Sequence, residues 1–351
     1  MRGDPLDRIE LNSLTFDELE DFIVSINEDR YRADQLFTFF HKNYGKAIKD
    51  LTVFPIRLRD KLDGMGKVNN IEIFKRLDSN IDNTKKYLYL LEDDNIVESV
   101  FMEYKHGLTA CISTQVGCKM GCYFCASTKD GFVRNLSPAE MLNQVYVMEE
   151  DLNNKITNIV LMGSGEPLDN YENVLKFLEI IHHERGHNLS YRNITLSTCG
   201  IVPNIYKLAE EGIPITLSIS LHSPFDEERR RIMPIGNKYS VSEILQACRY
   251  YYEKINRRIT IEYTLIEGVN DREEDLLELT KILKGIKCHV NLIPLNPIKE
   301  FDYNRPSQLG IKKFKKGLNN KSIPATIRRE MGGDINASCG QLRRRYSKDK
   351  R

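Results

Sequence analysis

The chain has 351 residues, with 51 lysines and arginines against 50 aspartates and glutamates, a formal net charge of +1, and 41% hydrophobic and 29% charged residues. This is the composition of an ordinary soluble globular protein, and a balance so near neutral excludes a uniformly basic nucleic-acid-binding chain. No apolar run approaches the roughly 20 residues that cross a bilayer, and Met1-Arg-Gly-Asp-Pro-Leu6 lacks the apolar core of a signal peptide. The expectation is a cytoplasmic protein without membrane contact. Its eight cysteines, at 111, 118, 122, 125, 199, 248, 288 and 339, then belong to a reducing compartment and not to a disulfide framework. The length suits one core of roughly 250 residues plus a smaller unit. Positive charge is locally concentrated at Arg229–Arg231, at Lys312, Lys313, Lys315 and Lys316, and from Arg343 to Arg351. Together these clusters permit an RNA-binding surface.

Residues 1–75 read as a helical accessory domain for RNA binding or docking. Thr15 and Glu18 form a capping box, followed at helical spacing by Phe16, Leu19, Phe22, Ile23 and Ile26. A second helix carries Ala33, Leu36, Phe37 and Phe40, and a third covers 57–62, ended by Gly64 and Gly66. A β-hairpin follows, with strands over 87–91 and 96–101 about Asp93-Asp94-Asn95. A strand over 109–113 then runs into a cysteine-rich loop. Ser137, Pro138 and Glu140 start the next helix. Beyond it, strands over 158–162, 193–197, 215–221, 259–265, 289–294 and 325–328 alternate with helices over 174–183, 204–210, 241–255, 273–283 and 311–318. Such alternation predicts a parallel sheet covered by helices, curved into a partial β/α barrel with its ligand site at the carboxyl ends of the strands. Residues 76–345 form this unit, and 346–351 read as a disordered basic tail.

Three cysteines in Cys118-Lys-Met-Gly-Cys122-Tyr-Phe-Cys125 can wrap one metal centre. A structural zinc would call for a fourth ligand nearby, and none follows at the usual spacing. A 4Fe–4S cluster with one open iron needs only three thiolates, and that iron can take the amino and carboxylate groups of S-adenosylmethionine (SAM). The spacing, with Phe124 before the last cysteine, is the radical-SAM signature; the bland readings are structural zinc or unrelated core cysteines. Residues just past the predicted strands share one rim: Gly163-Ser164-Gly165-Glu166, Ser197-Thr198, Ser220-Leu221-His222 and Asn296-Pro297. Their glycines, hydroxyls, imidazole and amide suit a SAM site. Cys111 and Cys339 stand outside the motif. Either alone reads as a structural thiol, although the small residues around Cys339 suit an exposed loop and a nucleophile.

The chain resembles the RlmN/Cfr family of radical-SAM RNA methyltransferases. The resemblance lies in Cys111-Ile-Ser-Thr-Gln-Val-Gly-Cys118, the motif through Leu136, Gly163–Pro167, Ser220–Pro224, Gly268–Asp271, Asn291–Pro297 and Asp334–Leu342. It departs from the family at Ser164, usually methionine, and Ser338, usually alanine. The resemblance implies an α/β fold: a partial (β/α)6 radical-SAM barrel with an N-terminal helical accessory domain and a β-hairpin extension. It also implies that Cys118, Cys122 and Cys125 hold the cluster. Gly165, Glu166, Ser197, Ser220, Leu221, His222 and Asn296 would line SAM. Cys339 would carry the methyl group, Cys111 would resolve the intermediate through a disulfide, and Glu98 would accept a proton; from the strand pattern alone Glu98 reads as solvent-facing. The implied reaction consumes two SAM molecules per turnover and methylates adenosine C2 in 23S rRNA at the peptidyl-transferase centre and in tRNA beside the anticodon. The chain would act as a monomer, served by a reductant such as flavodoxin or ferredoxin. The alternatives are methylation at C8 of 23S rRNA, which gives antibiotic resistance, and a non-catalytic zinc-bound RNA-binding protein.

Overall fold

Thr15 accepts a hydrogen bond from the Glu18 amide, and Glu18 accepts one from the Thr15 amide at 3.0 Å, so α1 (Phe16–Ser25) begins where the capping box predicts. The computed structural model describes residues 8–296 and 303–342; Pro297, the Arg343–Arg345 cluster and the expected tail lie outside them. A short β1 (Ile9–Glu10) precedes α1. Helices α2 (Tyr31–His41) and α3 (Ile56–Met65) complete the accessory unit, and β2 (Gly66–Lys67) closes it by pairing parallel with β1. Helix α3 passes through Gly64, expected as a stop, and ends at Gly66.

A seven-residue strand, β3 (Glu72–Asp78), runs through position 75 and joins the large sheet, antiparallel to β4 (Lys85–Leu90). It escaped the sequence reading because it is an edge strand with exposed Lys75 and Arg76 and no clean alternation. β5 (Ile96–Tyr104) pairs with β4, and β6 (Gly107–Cys111) with β5, both antiparallel. The extension is therefore three antiparallel strands, of which the expected hairpin is the inner pair. After it, β7 (Gln115–Val116) and β8 (Arg134–Asn135) pair antiparallel and pinch the neck of the cysteine loop.

Ser137 and Glu140 form a second capping box for α4 (Pro138–Leu152). There follow β9 (Asn158–Leu161), α5 (Tyr171–His182), β10 (Ile194–Thr198), α6 (Val202–Glu210), β11 (Thr216–Ser220), α7 (Asp226–Ile232), α8 (Val241–Ile255), β12 (Ile259–Leu265), α9 (Glu273–Leu283), β13 (Cys288–Pro294), α10 (Gln308–Asn320) and β14 (Ala325–Ile327). The sheet order is β14-β13-β12-β11-β10-β9-β6-β5-β4-β3, with parallel pairing from β6 through β14. Each crossover thus advances one strand in the same direction, which curves the sheet and brings all the parallel carboxyl ends to one rim.

Alternation along the strands separates two faces. Leu196, Leu217, Ile219, Ile261, Tyr263, Val290 and Leu292 are fully buried in the principal core. The intervening positions are polar and satisfy one another: Ser218 Oγ donates to Glu262 Oε1 at 3.0 Å, and Thr326 Oγ1 donates to Asn291 Oδ1 at 2.9 Å. The accessory helices pack onto the same core through α4. There Glu149 accepts from the Tyr44 hydroxyl, faces His187 Nε2 at 2.7 Å and accepts from the Ile156 amide at 2.6 Å. No helix among the described residues is long and apolar enough to cross a membrane.

Candidate active site

The cysteine loop is fixed from three sides. Gln115 Nε2 bridges Asn135 and Asp169 beneath it, and the Tyr123 amide donates to the Ile232 carbonyl at 3.0 Å. On the third side the Ala126 amide donates to the Gly340 carbonyl at 2.7 Å, and Ser127 Oγ donates to the Leu342 carbonyl at 3.0 Å. These last bonds hold the C-terminal loop against the cysteine loop, and Asn296 Nδ2 adds a third at the Cys339 carbonyl, 3.0 Å. Gly340 allows the close approach: its φ is +81°, and a Cβ there would lie 3.1 Å from the Phe124 carbonyl oxygen.

Cys118, Cys122 and Cys125 line one cleft at the strand rim, with about 930 Å³ of space between protein atoms, its open mouth included. Burial pushes the Cys118 thiol up to about 12 and raises those of Cys122 and Cys125. Thiols in such surroundings ionise when a cation takes the place of the proton, and iron does so. A cubane takes each thiolate at a separate iron, and the open cleft between these thiols fits that demand. The donor set therefore suits a 4Fe–4S cluster held at three corners.

Six of the seven residues expected to line SAM border the same cleft: Gly165, Glu166, Ser197, Ser220, His222 and Asn296. Gly165 has φ +108°, and a Cβ there would meet Gln115 at 2.6 Å, so the turn after β9 requires glycine. Burial raises the Glu166 carboxyl, while the Cys199 amide at 2.8 Å and the Leu168 amide at 3.1 Å hold its two oxygens. His222 adopts a left-handed conformation, φ 57°. Its Nδ1 accepts from the Thr264 amide at 2.9 Å, which leaves the ring proton on Nε2. Burial lowers this imidazole to about 3, so it is a neutral donor at physiological pH. Leu221 differs from its companions: its side chain is fully buried in the principal core. Only its backbone meets the rim region, donating to Glu262 and accepting from Arg229 Nε.

A second cavity adjoins the first. Val100, Met102, Tyr104 and Met331 form its apolar wall, Arg305, Arg328 and Arg329 its cationic one, and Cys111 and Cys339 lie in it together. Cys125, Met162, Gly163, Asn296, Arg328, Cys339 and Gly340 border both spaces, so Cys339 stands at their partition. Burial pushes the Cys111 thiol up to about 12. Arg328 was not singled out from the sequence, where it reads as half of an Arg-Arg pair after a strand. Its guanidinium is held cationic, foremost by Cys339, and lies 3.6 Å from Glu262.

Glu98 is 2% exposed, which corrects the solvent-facing reading. It lies on the same face of β5 as Val100 and Met102, with Leu88 of β4 opposite it and, beyond the end of β6, the Ser113 hydroxyl donating to its carbonyl at 2.6 Å. Lys86 on β4 compensates the buried charge, with Nζ 3.0 Å from Glu98 Oε2 and 3.1 Å from the Asn336 carbonyl. Ser338, one of the two departures from the resemblance, donates to the Met331 carbonyl at 3.0 Å and so braces the Cys339 loop.

Comparison with known proteins agrees with this geometry. A family model described as the Radical SAM superfamily matches residues 112–280, and one described as the ribosomal RNA large subunit methyltransferase N-terminal domain matches residues 9–68. A probable dual-specificity RNA methyltransferase RlmN of Clostridioides difficile (strain 630) is 53% identical over 339 residues, covering 97% of this chain and 98% of its own. The chain belongs to the RlmN family of radical-SAM RNA methyltransferases. A second RlmN relative, from Alkaliphilus oremlandii (strain OhILAs), is also 53% identical, over 97% of this chain and 99% of its own. The crystal structure of a radical SAM methyltransferase from Sphaerobacter thermophilus superposes with a TM-score of 0.90 at 40% identity, covering 95% of this chain and 99% of that one. Membership of the RlmN family implies a 4Fe–4S cluster and SAM, for which the cleft of Cys118, Cys122 and Cys125 is the fitting place.

Proposed function

We propose that this chain methylates C2 of adenosine in two RNAs, with Cys339 carrying the methyl group and two SAM molecules consumed per turnover. The targets are 23S rRNA at the peptidyl-transferase centre and tRNA at the adenosine 3′ of the anticodon. The observation that carries this reading is the place of Cys339, a thiol bordering both a cleft fit for cluster and SAM and a cavity that also holds Cys111. The adenine carbon bears hydrogen and is not a nucleophile, so direct displacement at a sulfonium methyl fails, and a sulfur relay overcomes this.

Cys118, Cys122 and Cys125 would hold the 4Fe–4S cluster, which together with bound SAM would supply one-electron chemistry able to remove a hydrogen atom from an unactivated methyl group. The protein does the rest. Cys339 Sγ first takes a methyl from SAM by thiolate displacement. After loss of a hydrogen atom to the deoxyadenosyl fragment of a second SAM, the carbon on that sulfur bonds to adenine C2; the adduct then returns one electron to the flavodoxin- or ferredoxin-class carrier, and Glu98 accepts the ring proton. Cys111 Sγ attacks Cys339 Sγ, the sulfur–carbon bond breaks, and the freed carbon takes a proton to become the methyl group. The resulting disulfide is reduced by an external thiol. The apolar wall of Val100, Met102 and Tyr104 suits a base flipped out of its stack at a cost of a few kcal/mol. The helical accessory unit docks the RNA, and a flavodoxin- or ferredoxin-class protein supplies the electron to a cytoplasmic monomer. Nucleoside mass spectrometry of rRNA and tRNA from cells with and without the gene should show 2-methyladenosine lost from both. Loss of 8-methyladenosine instead would assign the C8 reaction, and no change in either would reject the proposal.

A further inference from the structure

Arg229 is fully buried and is the largest such side chain among the described residues. It sits on α7, in a run of three arginines whose other two members, Arg230 and Arg231, are exposed. Its Nε donates to the Leu221 carbonyl at 3.2 Å, and its Nη2 donates to the carbonyls of Cys199 at 2.6 Å and Ser220 at 3.4 Å. Nη1 is buried without a partner. Among the described residues Arg229 forms no salt bridge, whereas its neighbours Glu227 and Glu228 are engaged with Arg231 and Arg272. Asp226, one turn before it, is turned to the Val241 amide at 2.7 Å.

Carbonyl dipoles and the weak pull of Asp226, whose carboxylate is engaged elsewhere, are a poor counterweight for a desolvated cation. Tying down the ends of β10 and β11 needs hydrogen-bond donors, not a charge, so bracing leaves the guanidinium unexplained. What lies beside it is the cysteine loop. The Tyr123 amide donates to the Ile232 carbonyl in the last residue of α7. Cys122, Cys199, Ile232 and Met233 share one apolar cluster. Burial weakens the guanidinium's hold on its proton, and Cys199, Cys122 and, less strongly, Asp226 act in the opposite sense.

We propose that Arg229 is the built-in counter-cation of the cluster, placed to favour its reduced state. This rests on the reading that Cys118, Cys122 and Cys125 hold a 4Fe–4S cluster. Three thiolates on a dicationic core give a net monoanion, and the electron from a one-electron donor makes it a dianion. A fixed cation in dry surroundings stabilises the dianion more and raises the midpoint potential. The Arg229 guanidinium thereby makes the electron that begins the chemistry easier to deliver.

The test is a dithionite titration, followed by electron paramagnetic resonance, of anaerobically reconstituted wild type, Arg229→Gln and Arg229→Lys, with iron counted in each. Arg229→Gln keeps an amide donor for the carbonyls and loses the charge; its reduction equilibrium should fall at least tenfold, about 59 mV for one electron. Arg229→Lys keeps the charge and should stay near wild type. An iron-loaded Arg229→Gln with the wild-type midpoint would overturn the proposal alone. So would an Arg229→Lys midpoint displaced as far as that of Arg229→Gln. Should Arg229→Gln fail to hold iron, Arg229→Lys decides: a wild-type midpoint supports the counter-cation and a lowered one overturns it. Wild-type protein without iron would overturn the cluster reading as well.

Discussion

Cys339→Ala is expected to reduce RNA methylation by roughly 10⁴-fold or more, the scale on which loss of a covalent nucleophile acts, while leaving iron content and SAM binding at wild-type levels. The second half of this expectation follows from how the loop is held. Asn296 bonds to the Cys339 carbonyl, Ala126 to the Gly340 carbonyl and Ser127 to the Leu342 carbonyl. All three are main-chain acceptors that alanine retains. Cys339 is itself only half-buried, so its sulfur contributes little packing. The variant therefore separates chemistry from folding. Anaerobic assay of defined RNA by nucleoside mass spectrometry, with iron measured on the same sample, checks it. Methylation persisting in the variant would remove Cys339 from the role of carrier.

Cys111→Ala is expected to act at the other end of the cycle. The methyl carrier would still charge and still attack the base, but no thiol would displace the carbon from Cys339, and protein joined to RNA would accumulate in place of product. Denaturing gels and mass spectrometry of nuclease-trimmed protein would show a stoichiometric adduct. In the wild type the same step carries a pH signature. Burial pushes Cys111 up to about 12, so at neutral pH the attacking thiolate is a small fraction that rises about tenfold per pH unit. Release in a single turnover should accelerate about tenfold per pH unit, roughly a hundredfold from pH 7 to 9, and a flat profile would mean that Cys111 does not resolve the adduct.

Much of this molecule is legible in its residues, because the signals concerned are local. The capping boxes at Thr15/Glu18 and Ser137/Glu140 occur where the pattern places them. The bounds of α8 and α9 coincide with their apolar periodicity. The spacing of Cys118, Cys122 and Cys125 is likewise a local property, set by how far a short loop reaches around a cluster. What was hidden depends on neighbours distant in sequence. β3 is a charged edge strand without a buried face. α7 reads Asp-Glu-Glu-Arg-Arg-Arg-Ile and shows no apolar stripe, because one of its two buried residues is Arg229. Glu98 is buried because β4 pairs beside it and brings Lys86 to it, while Ser113 covers its other side. The meeting of Cys111 with Cys339 depends on the C-terminal loop folding back onto the cysteine loop through Ala126 and onto the end of β13 through Asn296. No residue pattern near either cysteine encodes that return, and only likeness to the RlmN/Cfr family anticipated it.

The most direct test of the account follows the methyl hydrogens. Enzyme freed of any prior methyl on Cys339 is given SAM labelled as S-CD₃ and an unmodified RNA, and the methyladenosine is weighed. Relay through sulfur predicts a CD₂H group, with one deuterium lost to deoxyadenosine and one hydrogen gained from solvent. An intact CD₃ group in the product would mean direct transfer from the sulfonium and would contradict it.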